Sequence, residues 1–271
     1  MLNFHWMHRQ RFLSPMELRK LFSDKEKFGY QSILLTWKDF NSDYLIKAAR
    51  TVDPRHKIKY MIAIRPYAIS PRYFAMQIAA FNEICQNRIM LNIVSGEVLE
   101  AEQEPDPCFD VDIDISTPPG RLDYVPIWLD KFVDSNILKN KPPIVVSTKN
   151  KKLIEETKHH TDIILCMYDD YIDYQDQYLL NYKKRMVSAQ VLIRDTDEEA
   201  RSFIEENYKD RPRVKRWTVY GSRDTVKKKI LNMESEGITD VMVNHGIYDY
   251  WQDPSVVDDL IYEIICEQKT R

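Results

Sequence analysis

Leu2-Asn-Phe-His-Trp-Met7, then Ser14-Pro-Met-Glu-Leu18 running on to Phe28-Gly29, then Ser32-Ile-Leu-Leu-Thr36, read in order as strand, helix and strand. Ser14 can accept from the free amides of a first helical turn. Pro15 suits a position whose amide has no partner, and Glu17 lies in the same turn. Leu18, Leu21, Phe22 and Phe28 recur at near-helical spacing, which gives the helix one inward face. Gly29 closes it as a left-handed cap that side chains resist. The strand after it is apolar without alternation, as a strand buried on both faces must be.

The same pattern returns near the other end. Ser222 can cap a helix through Val226, Ile230 and Met233, Gly237 closes it, and the strand Asp240–Val243 follows. Between these units lie the apolar runs Ile58–Ile64, Arg88–Val94, Pro143–Val146, Ile163–Met167 and Gln190–Ile193, each followed by a helical stretch. Pro254–Glu267 supplies the last helix. Eight short strands separated by helices imply a parallel sheet. Eight such units in 271 residues point to an α/β fold of the (β/α)8 TIM-barrel type, with a doubly wound open sheet as the alternative. One domain over residues 1–271 is expected, since such barrels run to about 250 residues as one unit.

Composition removes several classes of function. A net charge of −3 does not suit a protein held by phosphate backbones, so no nucleic-acid partner is expected. No run approaches the roughly 20 apolar residues of a bilayer span, and no membrane role is expected. The first eight residues lack a basic start followed by an apolar stretch, which makes a cytoplasmic protein the expectation. The 6 glycines stand alone at 29, 96, 120, 221, 237 and 246, so neither glycine-rich phosphate loop is present. Cys85, Cys108, Cys166 and Cys266 show no paired spacing and read as reduced thiols; no metal site is expected.

In such a barrel the chemistry sits where strands end. Those positions hold His5, His8, Thr36, Trp37, Arg65, Asn92, Ser95, Ser147, Thr148, Tyr168, Arg194, Asn244 and His245. The longest connection, about 97–119, carries eight acidic residues from Glu97 to Asp114 and no Lys or Arg. It is read as a solvated loop or a lid. His159 and His160 fall in a helix–strand connection on the opposite face and read as surface residues. Tyr168, Tyr171, Tyr174, Tyr178 and Tyr182 have the spacing of one helical face, for packing, a subunit contact or an aromatic wall.

Lys59-Tyr-Met-Ile-Ala-Ile-Arg-Pro-Tyr-Ala-Ile-Ser-Pro71 with Asn87-Arg-Ile-Met-Leu-Asn-Ile-Val-Ser-Gly96 resembles the bacterial luciferase-like flavin-dependent monooxygenases, most of all their alkanesulfonate monooxygenase branch. Further stretches follow in the family's order: Phe28–Leu35, Arg121–Tyr124, Pro142–Thr148, Arg194–Ala200 and Tyr220–Val226. The resemblance spans nearly the whole chain and itself implies a TIM barrel.

It also implies reduced FMN across the C-terminal mouth, its phosphate met by Ser147, Thr148, Lys149 and Asn150 at a helix start. Asn92 and Ser95 would approach the flavin, and Tyr124 its phosphate side. O2 and a small organic substrate would be the co-reactants, with a separate NAD(P)H:flavin reductase supplying reduced FMN to a homodimer. His5, Trp6, Arg65 and His245 would line the reaction pocket. His5, His245 and Arg65 are the catalytic candidates, and His5 or His245 is the acid–base one because histidine titrates near neutrality. Ser188 and Gln190 stand where the sulfonate branch carries Arg and His, and the acidic loop disfavours an anionic sulfonate. A flavin-binding protein without oxygenase activity, or a deazaflavin-dependent oxidoreductase of the same fold, are the other readings the resemblance allows.

Overall fold

The computed structural model describes residues 1–8, 13–36, 44–95, 113–114, 117–173, 182–244 and 253–270. Nine parallel strands are present among them: β1 (Asn3–His8), β2 (Ser32–Leu35), β3 (Lys59–Ile64), β4 (Ile89–Val94), β5 (Ile144–Ser147), β6 (Ile163–Met167), β7 (Lys184–Ile193), β8 (Thr218–Gly221) and β9 (Asp240–Asn244). Each of β1 to β6 pairs with its successor, β6 pairs with β7, and β7 and β1 both pair with β9. Eight strands thereby close a ring, the (β/α)8 barrel.

The helices are α1 (Pro15–Lys27), α2 (Tyr44–Thr51), α3 (Pro71–Cys85), α4 (Pro118–Val133), α5 (Lys151–Thr157), α6 (Tyr168–Asp173), α7 (Asp197–Asn207), α8 (Pro212–Trp217), α9 (Arg223–Ser235) and α10 (Pro254–Thr270). None is long and apolar enough to cross a membrane.

Local chemistry sets the first unit as its sequence suggests. Ser14 and Glu17 form a reciprocal capping box at the start of α1, and Leu18 and Phe22 bury its inner face. Gly29 lies at φ +87°, and a Cβ there would stand 2.9 Å from Ile265 Cδ1 of α10. Glycine is required there twice, by conformation and by space.

Two expectations change at the seventh unit. The seventh strand is not confined to Gln190–Ile193; it begins at Lys184, and those four residues are its upper end. Lys184, Arg185 and Ser188 interrupt the apolar run, so its lower half carries no continuous signal. That lower half closes the barrel against β6 and β9, while Gln190–Ile193 pairs with the extra strand β8. With α7 and α8, β8 forms a small cap whose core is Leu192, Ile204, Tyr208, Val214 and Trp217.

Alternation along the strands separates two cores. Outward residues such as Phe4, Ile33, Tyr60 and Leu91 pack on the helices. Inward residues fill the barrel, and five of them are methionines: Met7, Met61, Met90, Met186 and Met242. Unbranched thioethers suit an interior that tapers unevenly.

The described members of the tyrosine series do not share one helix. Tyr168 and Tyr171 are on α6 and reach Glu236, through its carboxylate at 3.3 Å and its backbone carbonyl at 2.8 Å. Tyr182 lies just before β7 and donates to Ile154 O at 2.6 Å. All three serve packing; Tyr174 and Tyr178 lie outside the described residues. Cys85 and Cys166 are buried free thiols, Cys266 is a half-buried one, and Cys108 is outside the described residues.

Candidate active site at the barrel mouth

A cavity of about 460 Å³ opens at the C-terminal ends of the strands. That volume lies within the roughly 300–1,000 Å³ typical of small-molecule sites. Its apolar lining is Met7, Leu34, Ala63, Val94, Leu165 and Met167, contributed by β1 to β4 and by β6. Its polar lining is Thr36, Arg65, Asn92, Ser147, Thr148, Lys149, Asp170, Ser188 and Arg213. An apolar floor under a rim of hydroxyls and cations fits a planar ring that carries an anionic tail.

The rim is built by short-range bonds. Ser147, the last residue of β5, donates to Asn92 Oδ1 at 2.6 Å and fixes that buried amide. The Thr148 amide donates to Leu165 O at 3.0 Å, and Thr148 Oγ1 accepts from the Asn150 amide at 3.0 Å. Asn150 is the N-cap of α5, its Oδ1 accepting from the Leu153 amide at 3.0 Å. Its side chain is spent on the helix and does not line the cavity.

Charge is concentrated on one side. Asp170 on α6 is buried between Lys149 Nζ at 3.5 Å and an Arg213 guanidinium nitrogen at 3.2 Å. Arg65, Lys149 and Arg213 against Asp170 make the described lining net positive, which suits an anionic group. Burial, with Asp170 and Asp169 nearby, pushes the Cys166 thiol far above its ordinary range, which disfavours its thiolate.

No protein-family model matches the chain. Among solved structures it is similar to an EDTA monooxygenase from Chelativorans sp. BNC1, with a TM-score of 0.74 at 11% identity over 100% of this chain and 94% of the other. It is similar to the coenzyme F420-dependent tetrahydromethanopterin reductase from Methanopyrus kandleri, with a TM-score of 0.67 at 13% identity over 97% of both chains. A third is the oxygenating constituent of 3,6-diketocamphane monooxygenase from Pseudomonas putida, solved with FMN. There the TM-score is 0.62 at 15% identity, over 97% of this chain and 96% of that one. All three share its fold.

Of the residues singled out in the sequence, the cavity brings together Thr36, Arg65, Asn92, Ser147, Thr148 and Lys149. Ser95 and Tyr124 are not among its lining residues; Tyr124 is buried in the helix layer. His5 lies at the opposite end of the barrel, level with the first residue of β2. Its Nδ1 is 2.7 Å from Ser32 Oγ and its Nε2 is 2.9 Å from Asp240 Oδ1. All three groups are almost fully buried, so this Ser–His–Asp arrangement plugs the barrel floor and has no access to a substrate.

Trp6 faces the opposite way from the lumen, against Lys25, whose Nζ is 3.3 Å from the ring centre. His8 is buried at the top of β1, where burial, then Lys47 and Lys25, push its imidazole down to about 4. Arg194 stacks on Phe203 at 4.4 Å, within the cap. His160 Nε2 lies 2.5 Å from Asp130 Oδ1, away from the mouth. Trp37, His245 and residues 96–112 lie outside the described residues.

Asp170 and Arg213 were missed. Asp170 was readable as a residue just past a strand end, but Arg213 sits in a basic stretch that looks like any solvated face.

Proposed function

We propose that the chain is a flavin-dependent oxidoreductase, a luciferase-like monooxygenase that uses reduced FMN to insert one oxygen of O2 into a small organic substrate. The observation that carries this reading is the convergence of Ser147, Thr148, Lys149 and Arg213 at one side of a cavity floored by Met7, Leu34, Ala63 and Leu165. The fold shared with the EDTA and diketocamphane monooxygenases supports it.

Lys149 and Thr148 hold the phosphate: Lys149 supplies the charge, and the Thr148 hydroxyl adds a donor that needs no glycine-rich loop. The Ser147 proton is already given to Asn92 Oδ1, so Ser147 serves the site by fixing that amide. Arg213 braces Lys149 through their common partner Asp170 and adds to the positive field. Asn92, fixed by Ser147, meets the ring's polar edge. Arg65 faces the reacting centre and stabilises negative charge as it develops there. The apolar floor excludes water. When bound, reduced FMN supplies the electron pair that reduces O2, one oxygen passing to the substrate and the other leaving as water.

The same reading makes this a two-component cytoplasmic enzyme, fed by a separate NAD(P)H:flavin reductase. A homodimer is part of the same reading.

The test is to mix oxygen with the protein–reduced FMN complex and follow the flavin absorbance. An oxygenase gives a slowly decaying spectrum distinct from both free reduced and free oxidised flavin. Reoxidation indistinguishable from that of free flavin contradicts an oxygenase and favours a flavin carrier.

A further inference from the structure

Among the described residues, two inward-facing polar atoms of β7 have no hydrogen-bond partner. Ser188 Oγ and Gln190 Oε1 are both buried and unbonded, and the residues are each 2% exposed. Ser188 lines the cavity. Gln190 is not among its lining residues, but strand alternation puts it on the same inward face of β7, two residues on and nearer the rim. The Gln190 Nε2 donates to Tyr208 OH at 2.7 Å, which leaves its carbonyl oxygen as the unmet end.

A buried polar atom without a partner is destabilising, so two neighbouring ones on one inward face need an explanation. The pair combines a hydroxyl able to donate with a carbonyl able only to accept. Inward positions two residues apart stand about 6.6 Å apart along a strand, a span that two hydrogen bonds to one small planar group can bridge.

We propose that Ser188 and Gln190 are specificity-determining residues that take the neutral C=O/N–H edge of an amide or imide. Ser188 donates to the ligand carbonyl and Gln190 accepts from its N–H. Two sources share this chemistry: the imide edge of the flavin's pyrimidine ring, and an amide-type substrate. The inference rests on the proposed function for the site's occupancy, but it makes a claim that can fail separately.

The experiment compares wild type, Ser188→Ala and Gln190→Met with two probe pairs. These are reduced FMN against its N3-methyl analogue, and succinimide against N-methylsuccinimide on the FMN-loaded protein. If the pair reads the cofactor, wild type binds FMN about three- to tenfold more tightly than the N3-methyl analogue, and Gln190→Met abolishes the preference. If it reads the substrate, the two flavins bind alike and the preference appears between the succinimides, again lost in Gln190→Met.

Ser188→Ala weakens the preferred probe while leaving the unliganded protein as stable as wild type or more so, because it deletes an unbonded hydroxyl. A wild type that prefers neither N–H probe overturns the inference, as does a Ser188→Ala that destabilises the unliganded protein. Failure of FMN to bind while free protein still prefers succinimide overturns the proposed cofactor and leaves this inference standing.

Discussion

Removing the Asp258 carboxylate isolates a buried charge at the seam between the first and last helices. Lys25 Nζ of α1 lies 2.5 Å from Asp258 Oδ2 of α10, with the two side chains 4% and 6% exposed. Tyr30 OH donates to Asp258 Oδ1 at 3.0 Å, and the Trp6 ring covers the ammonium. Burial pulls the Lys25 ammonium down from its ordinary range and pushes the Asp258 carboxyl up, so each charge depends on the other.

Deleting one member of such a pair costs about 3–5 kcal/mol, because the survivor stays desolvated without a counter-ion. Replacing both with apolar groups of similar volume is close to neutral. Asp258→Ala therefore loses about 3–5 kcal/mol in urea unfolding followed by far-UV circular dichroism, and Lys25→Met/Asp258→Leu recovers most of it. A loss under about 1 kcal/mol in Asp258→Ala, the level of an exposed pair, would refute the reasoning. So would a double variant as damaged as the single one.

Acid acts through His8. Its folded value of about 4 lies below the ordinary 6.5, so between these the unfolded chain binds more protons and stability falls as pH drops. About 2.5 kcal/mol is lost between pH 7 and 4.5, and His8→Gln removes that part of the slope; an unchanged slope rejects the assignment. Gly29→Ala forces a side chain into left-handed backbone and against Ile265, and lowers stability by about 1–2 kcal/mol in thermal melts. A melt equal to wild type would contradict both requirements for glycine at this position.

How much was legible follows from how each signal arises. Strands buried on both faces write themselves as unbroken apolar runs, so the barrel could be counted. β8 reads Thr-Val-Tyr-Gly, with a hydroxyl at one end and a glycine at the other, and the lower half of β7 carries Lys184, Arg185 and Ser188, so neither produced an apolar run. Asn92, Ser147 and Thr148 were placed at the mouth because the ends of their strands are unambiguous, and Lys149 through the family resemblance alone.

His5 and Trp6 were misplaced because β1 extends to His8. That puts His5 low in the lumen and gives Trp6 the outward parity. Asp170 and Arg213 come together from helices about forty residues apart, a contact that no local pattern records.

The most direct test of the central claim is an anaerobic titration of wild type and Lys149→Met with reduced FMN. Wild type is expected to saturate at one equivalent, and loss of a charge-assisted contact in the variant to weaken binding about ten- to a hundredfold. Absence of saturable binding by wild type, or equal affinity in the two proteins, would contradict the placement of a flavin phosphate at this rim.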